Sequence, residues 1–181
     1  MIGAAKPIIE RRGDGLRWLV ITDGWSDELA NLVNSSGADG IELNSSKGTW
    51  ADGLAFLSQV PSLKHLIILD LQERGVSPIE GLSRLESLKL SAYATSPLDF
   101  AHLKQLQKAF VEWRKQYRNI SALSNLQDLY LNRYTERDLA ALQSLTKLQS
   151  LRIGDSPTDQ FGVGCFDESC GYCIRRSPTQ V

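Results

Sequence analysis

The chain has 181 residues, 42% hydrophobic and 23% charged, with a formal net charge of −1. That length suits one domain with a sizeable core, and the near-neutral balance excludes a chain-wide pull toward nucleic acid or an anionic membrane. No apolar run approaches the ~18–20 residues of a bilayer span, and the opening MIGAAKPIIERRGDG has no apolar stretch of signal-peptide length. A cytoplasmic location, with no membrane and no nucleic-acid partner, is therefore expected.

Residues 1–15 carry Ile8 and Ile9 and then Glu10-Arg11-Arg12-Gly13-Asp14-Gly15. A polar, irregular segment ahead of a repeating one is expected to act as an N-terminal cap. From residue 16 one pattern recurs. It reads Leu16-x-x-Leu19-x-Ile21, Ala38-x-x-Ile41-x-Leu43, Leu63-x-x-Leu66-x-Ile68 and Leu85-x-x-Leu88-x-Leu90. It continues as Leu106-x-x-Ala109-x-Val111, Leu126-x-x-Leu129-x-Leu131 and Leu148-x-x-Leu151-x-Ile153. The middle positions are separated by 22, 25, 22, 21, 20 and 22 residues. A period in this range marks a solenoid of about seven repeats. Every leucine lies between Leu16 and Leu151, which sets the repeat domain at residues 16–156.

Ahead of each strand motif, apolar residues step back by three. Ile79, Leu82 and Leu85 precede Leu88, and Phe100, Leu103 and Leu106 precede Ala109. Spacing of three fits 3₁₀ or tight irregular coil better than an α-helix. The switch to period two at Leu88-Lys89-Leu90 marks a strand with one buried face. A helical solenoid needs repeats of roughly 34–47 residues and is disfavoured, as Pro61, Pro78 and Pro97 also break α-helices. The expected fold class is α/β, with a parallel sheet on the concave face and 3₁₀ or irregular segments on the convex one.

Strand alternation points a set of side chains outward. Down the centre they run Val20, Glu42, Ile67, Lys89, Phe110, Tyr130, Arg152. Glu112, Asp128 and Asn132 flank that column, and Trp113 lies just beyond it. Ile67, Lys89, Phe110, Glu112, Trp113, Asp128, Tyr130, Asn132 and Arg152 are the candidate partner-binding residues. Aromatics and arginine are enriched where protein partners bind. Three rim aromatics, Tyr93, Trp113 and Tyr134, either bind or fold inward as packing.

The pattern resembles the leucine-rich repeat family, most closely its short class of about 22 residues found in internalins and regulatory phosphatase subunits. That family places Asn five residues after the middle strand position. Here those positions hold Gly24, Ser46, Leu71, Tyr93, Arg114, Tyr134 and Ser156, so the asparagine ladder is absent. Gly13, Ser35 and Ala38 also stand where leucine is expected in the first two repeats. The resemblance implies a non-catalytic protein-binding module, monomeric when free. It implies a small bacterial immunity or inhibitor protein that neutralises a toxin domain, or else a regulatory subunit or scaffold docked on a cytosolic enzyme.

Residues 157–181 are expected to form a C-terminal cap and tail. They hold all three cysteines, Cys165, Cys170 and Cys173. A structural zinc needs four ligands, and the only histidines are His65 and His102, both in the repeats. No metal and no cofactor are expected. Gly162-x-Gly164 lacks the third glycine of a dinucleotide loop. His65 faces outward with no Ser or Cys expected as its nucleophile partner, so no enzyme activity is expected. The cysteine reading is checked by elemental analysis and thiol titration. All three thiols should react after unfolding without reductant, and stoichiometric zinc would overturn it.

Overall fold

The computed structural model describes residues 8–36, 38–48, 53–136 and 138–154, and the strand 173–175; of residues 36, 71 and 173–175 it gives the main chain only. The period-two segments form seven parallel strands that pair in chain order. They are β2 (Arg17–Ile21), β3 (Gly40–Asn44), β4 (His65–Arg74), β5 (Ser87–Ala94), β7 (Lys108–Glu112), β9 (Asp128–Asn132) and β10 (Ser150–Gly154). Two antiparallel edge strands bring the sheet to nine: β1 (Ile8–Arg11) on β2, and β11 (Cys173–Arg175) on β10. The stretch from 155 to 172, with Cys165 and Cys170, lies outside the described residues. A separate two-stranded ladder pairs β6 (Leu98–Asp99) with β8 (Tyr117–Arg118). The whole is a mostly parallel sheet of leucine-rich-repeat-like design.

The residues spaced by three make turns closed by i to i+3 bonds. Leu82 N–H donates to Ile79 O at 3.0 Å and Leu85 N–H to Leu82 O at 3.0 Å. The same pair of bonds recurs from Leu103 and Leu106, from Leu123 and Leu126, and from Leu145 and Leu148. Short 3₁₀ helices lie at Leu54–Gln59, Ser77–Gly81, Phe100–His102, Ile120–Ala122 and Ala140–Leu142. Each turn also leans on the previous one, as Gln107 N–H donates to Glu86 O, Gln127 N–H to Gln107 O and Gln149 N–H to Gln127 O, each at 2.8 Å. Ile79, Leu85, Phe100, Leu106, Leu123 and Leu126 are buried in one core with the inward strand residues.

The connection between β2 and β3 departs from the expectation. It is an α-helix, α1 (Asp27–Ser36). Leu29, Leu32 and Val33 are spaced for one helical face and pack on the core, while Ser26 Oγ accepts from Leu29 N–H at 3.3 Å. Asp27 and Glu28 occupy its first turn, where carboxylates suit the helix dipole. Elsewhere the missing asparagine ladder is replaced by unlike groups. Ser96 Oγ accepts from Val76 and Ser77 N–H, and the Gln116 amide donates to Ala94 O at 2.7 Å. Trp113 and Tyr134 fill the remaining space from inside, so of the rim aromatics only Tyr93 is exposed.

Leu88 and Leu129 are almost wholly buried, and truncation to Ala should cost about 2–5 kcal/mol each. Lys89→Ala, one residue along, should cost under about 1 kcal/mol. Urea melts compare them, and equal losses at Leu88 and Lys89 would contradict the strand register.

Candidate functional site

Parallel pairing turns one outward position per strand into a continuous row. The Cα partners run Val20 to Glu42, Ile67, Lys89, Phe110, Tyr130 and Arg152. A second row, two residues earlier, runs Trp18, Gly40, His65, Ser87, Lys108, Asp128 and Ser150. Gly40, Ser87 and Ser150 are small, and a groove of about 490 Å³ opens over the two rows. Ile67, Lys89, Phe110, Asp128, Tyr130 and Arg152 line it, with Trp18, Ser87, Lys108 and Ser150. Six of the nine candidate residues are thus brought together. The signal for Trp18, Ser87, Lys108 and Ser150 was present in the alternation, since each lies one outward step before the central row.

The centre of the groove is aromatic. The rings of Phe110 and Tyr130 stack at 4.4 Å with 21° between planes, a contact worth roughly 0.5–1.5 kcal/mol beyond its buried area. Lys89 Nζ stands 5.0 Å from the Phe110 ring centroid, within cation–π range. Gly154 stands beside Tyr130, where a Cβ would meet Tyr130 Oη at 2.2 Å.

At the other end, Trp18 lies over Gly40, whose Cβ would come within 2.7 Å of the indole. Arg12 stands over the same ring, its Cζ 4.6 Å from the ring centroid. Glu42, expected to face solvent, is only 4% exposed. It is bonded by Arg12, by the Asn44 amide at 2.9 Å and by Lys47 at 3.3 Å. Burial is the largest single influence on this carboxyl and opposes its charge, yet Asn44, Arg12 and Lys47 together hold it below its ordinary 4.5.

Three candidates stand elsewhere. Glu112 and Asn132 belong to the last outward row, and Glu112 is occupied by Ser91 Oγ (2.6 Å), Arg114 (2.8 Å) and Arg133 (3.2 Å). Trp113, expected at the binding face, is 6% exposed and packs inward against Tyr117 and Tyr134. Its indole N–H donates to Glu136 at 3.2 Å. With no asparagine to fill the turn, the large ring gains more from burial than from facing water. Tyr134 is 1% exposed, and burial first, then Glu136 and Asp138, push its hydroxyl up to about 12.

The structure also corrects the expectation that His65 has no hydroxyl neighbour. Pairing of β4 with β5 sets His65 against Ser87, and Nδ1 lies 2.9 Å from Ser87 Oγ. Burial, partly offset by Glu86 and Asp39, lowers the imidazole below its ordinary 6.5. No carboxylate is hydrogen-bonded to the ring among the described residues, so the pair lacks the third group that orients a catalytic base. Among the described residues no His, Cys, Asp and Glu cluster is placed to hold a metal, and no helix is long and apolar enough to cross a membrane.

No family model matches the chain, and no curated protein matches it. Solved structures do. An internalin (inlF) from Listeria monocytogenes strain 4b F2365 is 20% identical with a TM-score of 0.55, over 76% of this chain and 40% of that one. This chain thus spans well under half of that internalin. Internalin C2 (inlC2) from the same strain is 20% identical with a TM-score of 0.44, over 77% of this chain and 81% of its own. The first likeness shows the fold, that of a leucine-rich-repeat-like protein.

The Glu42 cluster predicts a pH effect. A carboxyl held low in the folded state adds stability above its unfolded value and loses it as pH falls through the folded value. Stability should therefore fall below about pH 4.5, and Glu42→Gln should flatten that fall while costing about 1–3 kcal/mol at pH 7. Melting temperature against pH for both proteins checks this.

Proposed function

We propose that this chain is a seven-repeat solenoid that binds a folded protein through its groove face and carries out no reaction of its own. Residues 16–156 form the repeat domain, between an N-terminal cap at 1–15 and a C-terminal cap and tail at 157–181. The observation that carries the reading is the row Lys89, Phe110, Tyr130 on three paired strands, its rings stacked and its cation seated on one of them. Strands bonded on both sides cannot rearrange cheaply, so little ordering cost opposes association. Large, half-buried aromatics in a groove are the usual anchors of a protein interface. Lys89, Asp128 and Arg152 set orientation and on-rate around them.

We further infer that it acts in the cytoplasm as an inhibitor, of the kind an immunity protein provides against a toxin domain. A fixed face with anchors acts by occupying its partner's surface, which is all that inhibition requires. The test is affinity capture with the full chain, identification of the captured protein, and titration of that protein. Phe110→Ala with Tyr130→Ala should weaken binding by at least ~2 kcal/mol with circular dichroism unchanged. The double variant should also fail to protect cells that make the partner, if the partner is toxic. Unchanged affinity would move the interface off the groove, and a captured enzyme whose activity rises on binding would favour a regulatory subunit.

A further inference from the structure

The charges on the groove face divide unevenly. Its carboxylates are already matched. Glu42 is paired with Arg12 and Lys47, and Glu112 with Arg114 and Arg133. Asp128 stands 4.0 Å from Lys108. Two cations are not matched in this way. Among the described residues neither Lys89 nor Arg152 forms an ion pair with a carboxylate. Both line the groove, and they flank the stacked rings on successive strands, Lys89 beside Phe110 and Arg152 beside Tyr130. Three strand spacings separate them, about 14 Å at ~4.8 Å each. Along the central row a cation therefore stands on either side of the two stacked rings, on a chain whose formal net charge is −1.

On the protein-binding reading above, we propose that the groove selects an acidic partner surface. An apolar or aromatic side chain of the partner lies on Phe110 and Tyr130, with one carboxylate reaching Lys89 and another reaching Arg152. A neutral or basic surface would cover both cations without counter-charge, and the lost hydration would oppose binding. An acidic surface replaces that hydration with two charge-assisted hydrogen bonds. A nucleic-acid strand fits less well. Its phosphates need a continuous basic stripe, whereas Glu42 interrupts the central row and Asp128 lines the groove beside it.

The test uses the full chain and three fluorescein-labelled probes: the capped peptide Glu-Gly-Trp-Leu-Gly-Glu, the same peptide with Lys in place of Glu, and a 15-nucleotide oligothymidine. The acidic peptide should bind, weaken as NaCl is raised, and bind at least tenfold more weakly to a Lys89→Glu, Arg152→Glu variant that keeps its circular dichroism. The basic peptide should bind the wild type at least tenfold more weakly than the acidic one. Lys89→Gln with Arg152→Gln should fall between wild type and the reversal, which separates loss of attraction from misfolding. No binding of the acidic peptide, equal binding of both peptides, or tighter binding of oligothymidine would each overturn the proposal. The two readings fail separately. If Phe110→Ala with Tyr130→Ala abolishes capture of the natural partner while charge reversal leaves it intact, the groove is an interface but not one selective for acid.

Discussion

Each turn of this chain has one apolar face and no means of covering it alone. That constraint governs the structure. Leu82, Leu85 and Leu88 are buried in one core with Leu103, Leu106 and Ala109 of the next turn and with Val60, Leu63 and Leu66 of the previous one. Spacing by three keeps these residues on one side of a 3₁₀-like coil, and the i to i+3 bonds hold the coil tight enough for its neighbour to lie alongside. The backbone bonds between turns, from Gln107 to Glu86 and from Gln127 to Gln107, follow from that stacking. The ends need another solution. The main chain of β1 and β11, running antiparallel, takes up the sheet edges that β2 and β10 would otherwise present to solvent.

The groove face is a by-product of the same constraint. Once Leu88, Ala109 and Leu129 are inward, Lys89, Phe110 and Tyr130 have one direction left. Parallel pairing in register then makes them neighbours although they lie about twenty residues apart in the chain. The groove depends on the residues beside them as much as on the anchors. Gly40 gives Trp18 room to lie across the sheet, Ser87 and Ser150 leave the row before the central one low, and Gly154 keeps clear of the Tyr130 ring. Small residues are tolerated there because packing within the core does not depend on the outward rows.

The inward and outward rows, and thus Ile67, Lys89, Phe110, Tyr130 and Arg152, were legible in the sequence. Alternation is a local rule, and the repeat supplies the long-range register. Other features required contacts that no periodicity encodes. The burial of Glu42 depends on Arg12, thirty residues earlier in a hairpin turn where Gly15 adopts a positive φ of 81°. The inward turn of Trp113 depends on Tyr117 and Tyr134 leaving a cavity of the right shape. The Ser87 hydroxyl beside His65 was readable in principle from the same register that pairs Lys89 with Ile67. The α1 helix was missed because its repeat is degenerate, and Leu29, Leu32 and Val33 follow a different period from the rest.

Charge on the face follows the same division between local and distant causes. Glu112 is matched by Arg114, two residues on, and by Arg133, one turn later. Glu42 is matched by Lys47, five residues on, and by Arg12 from the edge hairpin. These matches form where the loops after the strands bring arginine or lysine back to the sheet, so they cluster on the last outward row and at the β1 end. Lys89 and Arg152 sit on the central row, away from those loops, and strand neighbours offer them Phe110 and Tyr130 instead of carboxylates. A groove walled by aromatics leaves cations with weaker compensation than an ion pair gives. The repeat therefore divides the charges without any residue being dedicated to that end: carboxylates near the loops are matched within the chain, and Lys89 and Arg152 on the central row form no ion pair among the described residues.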